Sequence, residues 1–226
     1  MNQIGLNRRL VSEFIGSALL LAAFVGSGVM AEKLAGGNFA VALLANSVAT
    51  AAVVYGLVSM LAPVSGAHLN PAITLVTRMG GLIGNSEMLA YWAAQILGAA
   101  MGVALVHVMY GLPVFQTSGA ATVIPNLWLA ELIATFGLVL SILGIVRATP
   151  DRVATAVSLY VLTAFWFTAS INPAVTIARA LTSTFDGIAW VNVMPLVAAQ
   201  FAGALLAALT GNWLFTTPPA VSSEEK

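Results

Sequence analysis

Long apolar runs separated by short polar breaks dominate the chain. Runs at 10–31, 39–62, 86–110, 127–146, 153–168 and 191–215 are rich in Ala, Leu, Val and Ile and nearly free of charge. A helix needs about 20 mostly apolar residues to cross a bilayer, so the pattern predicts six spanning helices, the fifth rather short. The breaks "EKLAGGN", "GLPVFQTSGAATVIPN" and "RATPDR" hold the Gly, Pro and charge that mark loops. Two further apolar pieces, "NPAITLVTR" and "NPAVTIARAL", are too short to cross, and each opens on Asn-Pro. Pro is well placed in a first helical turn, where its missing N–H leaves no bond unmade, and Asn is a favoured N-cap. Two re-entrant half-helices are therefore expected, beginning near Asn70 and Asn172.

The same signals recur in order. "SEFIGSALLLA" around Glu13 matches "AELIATFGLVL" around Glu131, "NPAIT" matches "NPAVT", and "YWAAQILGAAMG" around Gln95 matches "LVAAQFAGALLA" around Gln200. The chain reads as one domain over residues 1–226 built from a first repeat at 1–110 and a second at 127–215. Each repeat holds three spans and a half-span. Three is odd, so the second copy enters the membrane from the opposite face, and the special segments meet near the midplane. The polar, Pro-rich stretch 216–226 is expected to be a flexible cytoplasmic tail.

Composition agrees with a lipid solvent: of 226 residues, 60% are hydrophobic and 7% charged, against about 25% charged in soluble domains. The formal net charge of zero gives no field to attract nucleic acid. No cysteine is present and histidines number two, which excludes disulfides, thiolate chemistry and cysteine-ligated zinc. No Ser-His-Asp set or phosphate loop is visible, so neither an enzyme nor a cofactor is expected. The basic start lacks a cleavage site and reads as a retained first span. Arg8, Arg9, Arg78, Arg147 and Arg152 would share one face if both termini lay in the cytoplasm, with Lys33 and Arg179 opposite.

Non-helical backbone at membrane depth survives only inside protein or along a watery cavity. Two half-helices entering from opposite faces present their N-termini to each other, each carrying about half a positive charge and free N–H groups. Such a pair repels cations while two carboxamides offer donors to a neutral oxygen. A narrow pore for small uncharged molecules follows. Capping alone would explain one Asn-Pro-Ala copy, whereas two at matching places in an inverted repeat call for the pore.

The motifs "SGAHLNPAIT", "SINPAVT", "SEFIGS", "AELIAT" and the paired "AAQ" helices resemble the aquaporin and aquaglyceroporin family over essentially the whole chain. The resemblance implies an all-α membrane protein with six transmembrane helices and two half-helices. It also implies a homotetramer with one pore per subunit, and passive diffusion of small neutral solutes in a bacterial inner membrane. Asn70, Pro71 and Ala72 and Asn172, Pro173 and Ala174 would be the pore motifs. Family members usually carry Arg after the second motif, and here that position is Val175. Counting back by the same resemblance gives Thr50, Ala169 with an exposed carbonyl, and either Tyr160 or, with a shortened loop, Thr163 as the other filter residues. A filter without Arg resembles that of the bacterial arsenic-associated subgroup, which implies a wide pore passing polyols, arsenous acid or organic neutral solutes. The alternative is an ordinary water or glycerol facilitator.

Glu13 and Glu131 are ionisable groups inside spans, which raises a functional role. A proton-coupled transporter would use them as a relay. Their matching places favour a scaffold that accepts N–H groups of the loops before each half-helix. His68 either lines the pore or braces its loop. His107 reads as interfacial, Gln95 and Gln200 as interhelical hydrogen-bond donors beside small residues, and Arg179 as a surface or loop anchor near the end of its half-helix.

Overall fold

The computed structural model describes residues 4–114, 116–118 and 126–215. The expected tail at 216–226 lies outside them. The described residues form eight α-helices in chain order: α1 Leu6–Leu34, α2 Phe39–Ser65, α3 Pro71–Met79, α4 Asn85–Met109, α5 Leu127–Ala148, α6 Val153–Ala164, α7 Pro173–Arg179 and α8 Trp190–Leu214. Five of them, α1, α2, α4, α5 and α8, are long and apolar enough to cross a membrane. The expected fifth span is α6, preceded by the 3-10 turn Pro150–Arg152. It stops at Ala164, not at 168, because the chain then turns over 165–167 and runs without regular structure to Asn172.

Each repeat is tied together by a close helix pair. In the first, α1 packs on α4 at Gly98 and Gly102, where an added Cβ would run into the carbonyls of Phe14 and Ala18. In the second, α5 packs on α8 at Gly203, where a Cβ would strike the Leu132 carbonyl. Lipid tails are as apolar as leucine, so helices associate in membranes by such close approach of small residues. The large apolar residues Leu97, Leu105, Leu209 and Trp213 face outward, as a lipid-facing surface requires.

The half-helices start as the motifs dictate. Asn70 and Asn172 both hold extended backbone as N-caps, with Pro71 and Pro173 in the first turn. The Asn70 Oδ1 accepts from the Ala72 N–H at 2.9 Å, and the Asn172 Oδ1 from the Ala174 N–H at 3.0 Å. Just before them, Leu69 (φ 49°) and Ile171 (φ 50°) sit in the left-handed region. That conformation costs on the order of 1–3 kcal/mol for a residue with a Cβ, and for β-branched Ile171 it is a real outlier.

Candidate functional site

The strain turns two carbonyls toward the centre of the molecule, and each meets the opposite repeat. The Asn70 Nδ2 donates to the Ile171 carbonyl at 2.9 Å, and the Asn172 Nδ2 donates to the Leu69 carbonyl at 2.8 Å. The two motifs are thus cross-bolted, each asparagine capping its own half-helix with oxygen and bracing the other loop with nitrogen. The second proton of each Nδ2 is not needed for either bond.

Behind the motifs stand the two glutamates, both fully buried. Glu13 accepts from the His68 N–H (3.0 Å), the Leu69 N–H (2.7 Å), Ser65 Oγ (2.6 Å) and Gln95 Nε2 (2.7 Å). Glu131 accepts from the N–H groups of Ala169, Ser170 and Ile171 at 2.7, 2.7 and 2.9 Å, from Thr168 Oγ1 and from Gln200 Nε2. A carboxylate can accept about four bonds, so both are saturated by the irregular loops. Gln95 and Gln200 also donate to Thr74 and Thr176, at 2.9 and 2.7 Å. Those hydroxyls bond the Asn70 and Asn172 carbonyls. One chain of bonds, from Glu through Gln and Thr to Asn, is written twice.

A cavity of about 280 Å³ runs past both motifs. Its α3 mouth is walled by Leu82, Val146 and Val153, and its α7 end by Thr50, Phe24, Phe165, Ala169 and Val175. Three helices give it stripes at four-residue spacing: Thr50, Val54 and Val58 on α2, Leu138, Ile142 and Val146 on α5, and Val153, Val157 and Val161 on α6. His68 lines it too. Its ring nitrogens lie 3.2 and 3.4 Å from the hydroxyls of Thr74 and Thr77, and its ring 5.2 Å from that of Tyr91.

Thr50, Ala169 and Val175 therefore converge on one end of the cavity, while Tyr160 and Thr163 do not. Each helical residue turns by about 100°, so a face carrying Val157, Val161 and Ala164 leaves both on the flanks. Tyr160 points its hydroxyl at Gly137 of α5. Thr163 is exposed, its hydroxyl bonded to the Leu159 carbonyl at 3.0 Å. The lining residues that sequence reasoning missed there are Phe24 and Phe165, whose ring centroids lie 5.3 Å apart. No motif marks them.

Two further expectations need correction, and a third is narrowed. The Ala169 carbonyl is not left open, for it accepts from the Arg179 guanidinium. Of the two readings of Arg179, surface or loop anchor, the structure carries the loop one. The side chain is part-buried, donates to the Asp186 carbonyl at 2.5 Å and stacks over the Phe24 ring at 5.1 Å. Helical side chains lean toward the helix N-terminus, which carries a long arginine back along α7 toward the loop. His107 is fully buried, not interfacial, with its ring nitrogens 2.9 Å from the Val114 carbonyl and the Thr182 hydroxyl.

Among known proteins, the family model for major intrinsic proteins matches residues 1–168. The chain is 43% identical over 217 residues to aquaglyceroporin AqpS of Rhizobium meliloti (strain 1021), covering 95% of this chain and 93% of that protein. It is 34% identical over 179 residues to aquaporin TIP1-1 of Zea mays, covering 72% and 70%. The X-ray structure of the aquaglyceroporin from Plasmodium falciparum superposes with a TM-score of 0.69 at 19% identity, over 91% of this chain and 95% of that one, which supports the fold. With its duplicated, cross-bolted half-helices and the cavity beside them, the chain belongs to the major intrinsic protein family, as an integral membrane channel for small neutral solutes and not an enzyme.

Proposed function

We propose that this channel passes neutral solutes larger than water, of the size and hydroxyl display of glycerol and arsenous acid. The observation that carries the reading is Val175 at the α7 end of the cavity, among Thr50, Phe24, Phe165 and Ala169. Where the family resemblance would place an arginine, an isopropyl group stands, so the lumen loses a fixed charge and a fork of donors. Thr50 adds little polarity, since its hydroxyl lies 3.2 Å from Asn46 Oδ1 as a donor. A wall made mostly of apolar side chains favours solutes with some carbon or metalloid bulk over water alone. The similarity to an aquaglyceroporin supports the same reading.

A water-only channel is the second reading, and the Phe24–Phe165 pair favours it by narrowing the same end. The remaining assignments rest on the resemblance and on charge. Four copies would assemble with one pore each. Both termini would face the cytoplasm of a bacterial inner membrane, with Arg8, Arg9, Arg78, Arg147 and Arg152 on that side.

Stopped-flow light scattering on proteoliposomes tests the proposal with water, glycerol and arsenous acid. Native protein is expected to pass all three, and Val175→Arg to lose the two larger solutes at least tenfold while keeping water. Native vesicles that pass water alone would refute it and assign the width to the phenylalanines.

A further inference from the structure

Thr50, at the wall of the cavity's α7 end, opens a chain of polar contacts that leads away from the lumen. Its hydroxyl donates to Asn46 Oδ1 at 3.2 Å, and Asn46 Nδ2 donates to both carboxylate oxygens of Asp186 at 3.0 Å. Asp186 is buried against Gly28 of α1, where any Cβ would collide with the carboxylate. From the same loop, the Asp186 main-chain carbonyl takes Arg179 Nε, and the guanidinium reaches on to the Ala169 carbonyl and, at 3.4 Å, to Ser170 Oγ. Phe24, Ala169 and Ser170 all line the cavity, while Arg179 itself does not.

A guanidinium held this way does two things. It fixes a positive charge one wall away from the lumen, in a setting where water is scarce and screening weak. It also occupies the loop carbonyl, which would otherwise offer a cation a ligand. Arg179 lies four residues beyond Val175, one helical turn or about 6 Å along α7, and its side chain covers that distance by leaning back.

We propose that Arg179 is the positioning residue that excludes cations and protons at the α7 end, charging the constriction from behind Phe24 and Ala169 instead of from within the lumen. The inference rests on the channel reading. It reconciles an apolar lumen that admits bulky neutral solutes with a barrier against ions, two demands that a lumen-facing arginine would set against each other. Asp186 moderates the charge. Its carboxyl lies in the loop between α7 and α8, and burial pushes it up to about 7, against the opposing pull of Arg179 and the Asn46 amide; Glu32 pushes it further up. Glu131 is the other carboxylate that acts on Arg179.

The test is paired flux in proteoliposomes at pH 8, where Asp186 is mainly ionised. Glycerol and water entry are read by light scattering, and proton entry by a trapped pH-sensitive dye. Arg179→Gln is expected to raise proton flux at least tenfold. Arg179→Lys, which keeps the charge and loses the fork, and Asp186→Asn, which removes the opposing charge, are expected to stay within twofold of native or below. A residue serving only as a strut would leak alike in Arg179→Gln, Arg179→Lys and Asp186→Asn, and that pattern would overturn the proposal. So would a folded Arg179→Gln with native proton flux. Should Arg179→Gln not assemble, a tenfold rise in either of the other two overturns it, and its absence in both upholds it. Native vesicles that pass no solute would instead sink the channel reading, an outcome separate from these.

Discussion

At the scale of single residues, the two glutamates decide between scaffold and relay. A proton relay needs a carboxylate with a free face and a path to either side, yet Glu13 and Glu131 each spend their lone pairs on loop N–H groups, a hydroxyl and a glutamine. A bond to a charged acceptor is worth about 1.5–3 kcal/mol. Glu131→Gln turns one acceptor oxygen into a donor facing donors, so it should lower the thermal midpoint in detergent and reduce flux of every solute together. Flux in the native protein should be indifferent to an imposed pH gradient, as light scattering with and without the gradient will show. A gradient-driven uphill accumulation would restore the transporter reading. The glutamates and asparagines were legible because their chemistry is local to a repeated motif. Arg179 was not, since position along a half-helix says where a Cα sits but not that a long side chain folds back over the preceding turn.

The elements tell a different story of legibility. Element existence followed from apolar length, but the cavity-facing side of α2, α5 and α6 did not, because helices that are apolar all round carry no amphipathic period to read. Counting residues back from Asn172 placed Tyr160 or Thr163 at the pore, while the early end of α6 at Ala164 leaves Val157 and Val161 there. The absence of any native cysteine makes this directly measurable. Val157→Cys and Val161→Cys should react with a small water-soluble methanethiosulfonate and lose most of their solute flux on labelling. Thr163→Cys, exposed on the outer face, should keep its flux after the same treatment. Loss of flux in the labelled Thr163 variant and none at Val161 would reinstate the position that counting suggested.

For the molecule as a whole, the first and second halves of the chain meet in one site. Each supplies one asparagine amide and one strained carbonyl, and neither can satisfy them alone: without its partner, the Leu69 or Ile171 carbonyl faces hydrocarbon, where an unpaired polar group costs several kcal/mol. Each repeat does, however, hold its own close helix pair, α1 with α4 and α5 with α8. The motifs are bolted by the Asn70–Ile171 and Asn172–Leu69 bonds, and the halves meet further through Asn46–Asp186, His107–Thr182 and the packing of α2 on α6, α3 on α8 and α4 on α7. The chain split between residues 118 and 126, expressed as two tagged pieces, should therefore co-purify and conduct when reconstituted together, and neither piece should conduct by itself. Replacing Asn70 by Ala in the first piece removes both a cap, worth about 1 kcal/mol, and one of the two bonds between the motifs. Recovery of the pair on a tag pull-down should fall several-fold, and an Asn172→Ala change in the second piece should weaken it likewise. If the Asn70→Ala piece pairs as well as the native one, helix packing and the remaining polar contacts such as Asn46–Asp186 hold the halves, and the crossed asparagines serve only the lumen.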